Sequence, residues 1–321
     1  MRDAISAKKY YYFIKLMGRT ASHITLECAL QTHPTFSLIG EEVQAKNMTI
    51  QQVTEEICDV IAQRASTGKN FGVILIPEGL VEFIPEFKIL ISELNLLLAP
   101  EKPHATELEG LNSAADKVRY VLELLSSRSR QCMQSIPPEI QAQLLVDRDP
   151  HGNVQVSKIE TERLLIDTVK NELKKRTKEG RYKGKFSAQP LFCGYEGRSC
   201  LPSNFDAQYC YTLGHVAALL IDAGETGYMA SASHLSSPIE QWEVGGIPLV
   251  SMMNFEERHG KPKPVIRKAL VDLNGKPFRI FKEARQSWGM HDEFNYPGPI
   301  QFFGPHELTD SVNLTLQYEQ G

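Results

Sequence analysis

The spacing of apolar side chains changes along the chain, and each change predicts an element. Tyr10-Tyr11-Tyr12-Phe13-Ile14 is an aromatic and β-branched run that predicts a buried strand. Met17-Gly18-Arg19 reads as a turn after it. Thr20 to Leu30 then predicts a helix, with Ala21, Ile24, Cys28 and Ala29 on about one face. Ile50 to Ala65 predicts a second, amphipathic helix, because Ile50, Val53, Ile57, Val60 and Ile61 recur at three and four. Gly68 is placed to end it. Phe71 to Ile76 is a continuous apolar strand that stops at Pro77-Glu78-Gly79, and a helical stretch follows. Alternating strands and helices of these lengths imply parallel βαβ units and an α/β fold.

From about Leu96 to Thr177 strand signals are few and helix formers dominate, as in Lys117 to Arg128 and Ile159 to Arg176. This predicts a largely helical insertion, with turns at Pro137-Pro138 and Asp149-Pro150-His151-Gly152. Cys193 to Arg198 is a loop with two glycines. Phe205 to Ala223 predicts a helix with Tyr209, Leu213, Val216, Ala217, Leu220 and Ile221 on its inner face and Gly224 as its cap. Gly227 to Ala230 is a short strand candidate. The implied division is residues 1–95, a βαβ part; 96–185, the helical insertion; and 186–321, a C-terminal part of the core.

The 321 residues are enough for roughly two domains of ~150 residues each. Apolar residues make up 42% and charged residues 23%, an ordinary globular balance. The net charge of −4 gives no bulk attraction to nucleic acid or anionic membrane, so an anionic ligand needs locally placed cations. Lys174 to Lys185 is basic, and reads as a solvated helix end. The six cysteines form no C-x-x-C pair; several lie in apolar helical patterns and read as small buried hydrophobes, and a reducing cytoplasmic compartment fits best. No apolar run approaches the ~20 residues that span a bilayer.

Three glycine-bearing loops combine a flexible backbone with charge. Met17-Gly18-Arg19 lies between strand and helix, where ligands of parallel sheets bind and helix N-termini favour phosphate. Arg19 adds a planar fork for oxyanions; the alternative is a surface arginine after a turn. Glu78 stands where the most apolar strand ends, and could accept hydrogen bonds from sugar hydroxyls; the alternative is an exposed glutamate opening a helix. Gly194-Tyr195-Glu196-Gly197-Arg198 offers a phenol, a carboxylate and a guanidinium, a mixture suited to a phosphorylated sugar or to an ordinary loop.

The order of these motifs resembles the long-chain form of the pyrophosphate-dependent phosphofructokinases. The resemblance rests on Lys9 to Pro34, Gly72 to Leu80, Gly194 to Asp206 and Asn295 to Phe302, and extends over essentially the whole chain. It implies a phosphofructokinase-like fold of parallel-sheet layers with helices on both faces. It implies that Met17, Gly18, Arg19, Glu78, Tyr195, Glu196, Gly197 and Arg198 hold fructose 6-phosphate. Lys9 and Tyr10 would approach the site of a neighbouring subunit, in a homodimer or hetero-oligomer.

The family's Gly-Gly-Asp donor loop and Thr-x-Asp-x-Asp segment do not occur; Gly245-Gly246 is followed by Ile247-Pro248. The resemblance therefore implies a C-terminal portion, with the catalytic aspartate and the ligands of Mg²⁺ in a region not present. The chain alone is expected to be inactive. An ATP-dependent phosphofructokinase fragment and a non-catalytic sugar-phosphate-binding regulatory subunit are the alternatives.

Overall fold

Tyr11–Leu16 (β1) alternates buried and half-buried side chains, with Tyr11 and Phe13 fully buried on one face. Gly72–Pro77 (β3) is buried at every position, as a strand covered on both faces must be. These two, with Phe36–Ser37 (β2) and Ala188–Cys193 (β4), form a parallel sheet in the order β2-β3-β1-β4. The computed structural model describes residues 1–19, 21–100, 102–148, 153–258, 261–266, 268–299, 301–310 and 312–320. The expected turn at Asp149 to Gly152 and the expected helix start at Thr20 lie outside the described residues.

The α/β reading holds, with small shifts at element ends. The first of the expected helices runs His23–Thr32 and the second Ile50–Ser66, the latter opened by a reciprocal capping box between Thr49 and Gln52. Gly68 follows that helix at φ 82°, a left-handed conformation that glycine adopts without strain. The insertion is helical: Pro103–Glu109, Ala114–Leu124, Ser127–Ser135, Pro138–Val146 and Thr161–Lys178. Its apolar side chains, among them Val121, Met133 and Leu144, join Tyr11, Phe13, Ile74 and Ile76 in one continuous core.

The chain divides into two compact units. The first comprises Met1–Arg198, Val271–Asn274 and Phe278–Tyr296; the second comprises Ser199–Leu270, Gly275–Pro277 and Pro297–Gly321. In the first unit the helix Lys276–His291, from Phe278 onward, lies against the β2 edge of the sheet. A side chain at Gly289 would stand 2.5 Å from the Thr35 carbonyl oxygen, so only glycine permits that approach. Trp288 stacks on His33 with ring centres 4.2 Å apart.

The other edge is β4. Tyr11 N–H donates to Ser187 O and Met17 N–H to Cys193 O, so the odd-numbered residues of β4 face β1. Pro190 therefore turns its nitrogen to the free edge, where a missing N–H costs no ladder bond. Leu191 and Phe192 beside it are 46% and 43% exposed.

In the second unit the helix Asn204–Asp222 is opened by a capping box between Ser203 and Asp206. Gly224 follows at φ 74°. The expected inner face is corrected in part: Val216 is buried, but Ile221 is 77% exposed, because it lies on the opposite side of the helix from Val216. The short strand extends to Tyr228–Ser233 (β5) and pairs antiparallel with Glu243–Pro248 (β6). A second antiparallel ribbon joins Met253–Arg258 (β7) to Lys261–Ile266 (β8).

Candidate functional site

Three adjacent parallel strands end on a single rung. Leu16 of β1 pairs with Pro77 of β3 on one side and with Cys193 of β4 on the other. The loops that follow are the three singled out from the sequence, and they leave the carboxyl edge together. Backbone bonds bind them beyond the strands: Glu78 N–H donates to Leu16 O at 3.2 Å, and Met17 N–H to Cys193 O at 3.0 Å.

Glu78 is 1% exposed, which removes the reading of it as an exposed glutamate at a helix start. Its Oε2 accepts from Gly18 N–H at 3.3 Å and from Arg19 N–H at 2.6 Å. Arg19 has φ 54°, an uncommon conformation for a residue with a side chain. Two hydrogen bonds to a buried carboxylate offset that strain and fix the loop. The other oxygen, Oε1, is buried without a hydrogen-bond partner. A buried orphan acceptor costs about 1–3 kcal/mol, so Oε1 has an unused capacity to accept a hydrogen bond.

The third loop is a short 3₁₀ turn, Tyr195–Gly197. Glu196 Oε1 accepts from Gly194 N–H at 2.9 Å, and that bond holds its carboxyl below the usual range. One oxygen of Glu196 thus stiffens its own loop. Tyr195 is 78% exposed, and Arg19 and Arg198 are exposed too. Among the described residues no carboxylate pairs with either guanidinium, so both are available to an oxyanion.

Lys15, unremarked in the sequence, lies on the rung below, where it pairs with Ile76 and Phe192. It is 2% exposed. Its Nζ donates to Ile159 O at 2.9 Å, stands 3.5 Å from Glu162 Oε2 and lies 4.3 Å from the centre of the Phe192 ring. Burial pushes the Glu162 carboxyl up from its ordinary value, and the Lys15 charge opposes that. The pair ties the start of the helix Thr161–Lys178 to the strand that carries Met17-Gly18-Arg19.

Lys9 and Tyr10 are not brought to these loops. They precede β1, at the opposite end of a six-residue strand, which at ~3.3 Å per residue is about 20 Å away. Nor do the described residues supply a metal centre: they contain no group of three or more His, Cys, Asp or Glu side chains placed to hold one. Among the described residues the magnesium implied by the resemblance finds no fitting ligand set. A cavity of about 430 Å³ lies over β2, between the helices Ile50–Ser66 and Lys276–His291, and includes none of the loop residues.

A scan of protein-family models found no match. Curated proteins do match. A Treponema pallidum protein named pyrophosphate–fructose 6-phosphate 1-phosphotransferase is 52% identical over 319 residues, which are 99% of this chain and 55% of that protein. The Porphyromonas gingivalis protein of that name is 50% identical over 99% of the chain and 57% of its own length. The chain is a homologue of these phosphotransferases. Arabidopsis thaliana subunit beta 1 is 51% identical over 100% of the chain and 54% of the subunit. The chain thus spans about half the length of the curated phosphotransferases it matches, a coverage consistent with a C-terminal portion. Among its described residues no helix is long and apolar enough to cross a membrane.

Proposed function

We propose that this chain carries the fructose 6-phosphate site of a pyrophosphate-dependent 6-phosphofructokinase. The supporting observation is the shared rung: three loops leave β1, β3 and β4 together, and Glu78 locks the first to the second. Arg19 and Arg198 supply two unpaired guanidinium groups for the 6-phosphate, each able to grip oxygens bidentately. The free oxygen of Glu78 accepts a sugar hydroxyl, and Tyr195 donates to phosphate or hydroxyl.

In the complete enzyme the 1-hydroxyl of fructose 6-phosphate attacks one phosphorus of diphosphate. The bridging P–O bond breaks, inorganic phosphate leaves, the hydroxyl proton passes to a base, and fructose 1,6-bisphosphate forms reversibly. Such transfer depends on holding donor, acceptor and metal together. The residues of this chain hold the acceptor; the donor loop, the base and the magnesium ligands belong to sequence that it does not contain. No observation favours ATP as the donor or a purely regulatory role. A reducing cytoplasm and a homo- or hetero-oligomeric assembly, with Lys9 and Tyr10 facing a neighbouring subunit, complete the reading.

Calorimetric titration with fructose 6-phosphate tests it. Arg198→Ala removes charge-assisted bonds worth about 1.5–3 kcal/mol, so affinity is expected to fall roughly 10- to 150-fold, while fructose itself binds weakly to both forms. Unchanged fructose 6-phosphate affinity removes Arg198 from the site. Equal affinity for fructose and its 6-phosphate removes the phosphate clamp altogether.

A further inference from the structure

The loop that carries Arg19 is held from two sides. On one side Glu78 takes the Gly18 and Arg19 N–H groups. On the other stands Ser22, which opens the helix His23–Thr32. Ser22 N–H donates to Glu41 Oε1 at 3.1 Å, and Gly40 N–H donates to Ser22 Oγ at 2.9 Å. Because β2 runs parallel to β3, Gly40 and Glu41, which follow β2, leave the sheet at the same carboxyl edge as Glu78. Ser22 and Glu41 are both buried.

Two features set this contact apart from an ordinary helix start. A serine at the cap position normally turns its oxygen to the helix's own N–H groups, with its backbone extended. Ser22 has φ −93° and ψ 16°, makes no such bond, and gives its oxygen to Gly40 instead. The helix forgoes its cap, and Ser22 stays tied to the exit of β2. Glu41, for its part, repeats the layout of Glu78. One oxygen takes two main-chain N–H groups, those of Ser22 and of Val271, the latter at 3.1 Å. The other is buried with no hydrogen-bond partner among the described residues. A buried carboxyl with one idle oxygen is a costly anchor. Gly40 admits no alternative either, since a side chain there would collide with the Phe83 ring.

We infer that Glu41 is a positioning residue of the sugar-phosphate site. It acts through Ser22, fixing the far end of the loop whose near end Glu78 fixes. Between the two clamps Arg19 is held at φ 54°, and its backbone aims its guanidinium. A loop clamped at one end only lets Arg19 relax and carry that group off the oxyanion. Displacement by about 1 Å costs on the order of 100-fold where orientation matters. The inference rests on the reading of Arg19 as a phosphate-binding residue.

Calorimetric titration of this chain with fructose 6-phosphate, beside urea unfolding of the same variants, tests it. Glu41→Leu leaves two N–H groups without their acceptor, and binding is expected to weaken roughly 10- to 100-fold. Glu41→Gln keeps an oxygen for both and is expected to restore affinity to within about threefold, although its buried amide makes the fold easier to unfold. In an Arg19→Ala background Glu41→Leu is expected to change affinity less than about twofold, because no guanidinium is left to aim. A residue that merely stabilises the fold would shift the unfolding midpoint and leave affinity where it was. Unchanged affinity in Glu41→Leu, no recovery in Glu41→Gln, or the full loss persisting beside Arg19→Ala overturns the role. Should Glu41→Leu fail to fold, Ser22→Ala removes only the Gly40 bond and carries the same comparison, with a loss of roughly three- to tenfold expected. Arg19→Ala alone separates the two readings. If it leaves affinity unchanged, the phosphate reading of Arg19 has failed and this inference with it; if it weakens binding and Glu41→Leu does not, only the positioning role has failed. Absence of binding to the unaltered chain overturns both.

Discussion

Replacing Lys15 by methionine keeps the volume of the side chain and removes one charge from beneath the loops. The partner left behind, Glu162, is 4% exposed, so its carboxylate cannot turn to water. Breaking a buried ion pair from one side costs about 3–5 kcal/mol, because an uncompensated charge remains. Set against a typical total of about 5–15 kcal/mol, that is a large fraction of the stability of the first unit. Urea unfolding followed by Trp288 fluorescence, with Trp242→Phe to silence the second unit, measures the loss. Lys15→Met with Glu162→Leu removes both charges and is expected to recover most of it.

The pH dependence supplies an independent sign. The folded Glu162 carboxyl already lies above its ordinary value of 4.5, and loss of Lys15 raises it further. Above pH 4.5 the fold then holds a proton that the unfolded chain has released, so stability falls as pH rises toward the folded value. The variant is therefore expected to lose least at pH 4 and most at pH 7. A cost below about 1 kcal/mol, a double variant as unstable as the single one, or a loss that shrinks as pH rises refutes the argument.

Three further outcomes follow from other contacts. Glu78→Gln keeps the shape but substitutes a neutral acceptor for a charged one opposite Gly18 and Arg19; about 1–3 kcal/mol is expected to be lost, with faster exchange of the Arg19 amide as the measure. Gly289→Ala places a methyl 2.5 Å from the Thr35 carbonyl, backbone against backbone, so about 1–3 kcal/mol of destabilisation is expected, and a midpoint shift under 0.3 kcal/mol would contradict the packing. His306, bonded to Asp310 at 2.8 Å, is held above its ordinary 6.5, and its NMR titration is expected to return toward that value in Asp310→Asn; an unmoved midpoint would show that the bond does not form in solution.

The first two loops were legible because each breaks a strong pattern. Apolar runs such as Phe71 to Ile76 read as strands, and Gly18 and Gly79 follow such runs where a carboxyl edge must be; Gly194 was legible only as a loop glycine, since Gln189 and Pro190 hide the edge strand before it. Lys15 was not legible, since a lysine in an apolar run looks the same whether or not Glu162, far along the chain, comes to meet it. The locking role of Glu78 was hidden for a similar reason: its partners are backbone N–H groups, which carry no sequence signature. For the helix Asn204–Asp222, periodicity showed which side chains share a side, but exposure depends on what covers each side. Hence Val216 followed the expectation and Ile221 did not. Strand β5 was foreseen at Gly227 to Ala230, but its partner β6 and the strand β8 escaped because Gly245, Gly246, Pro262 and Pro264 interrupt the alternation that marks a strand.

Pro190 has a bearing on how the chain survives its own synthesis. An exposed strand with Leu191 and Phe192 beside it is the kind of template on which fibres grow, each molecule adding a rung to the last. A ring where the middle rung needs a donor stops that growth at its first step. The ribosome can thus release the first unit with one flank of its sheet bare, and nascent molecules can meet on that flank without joining.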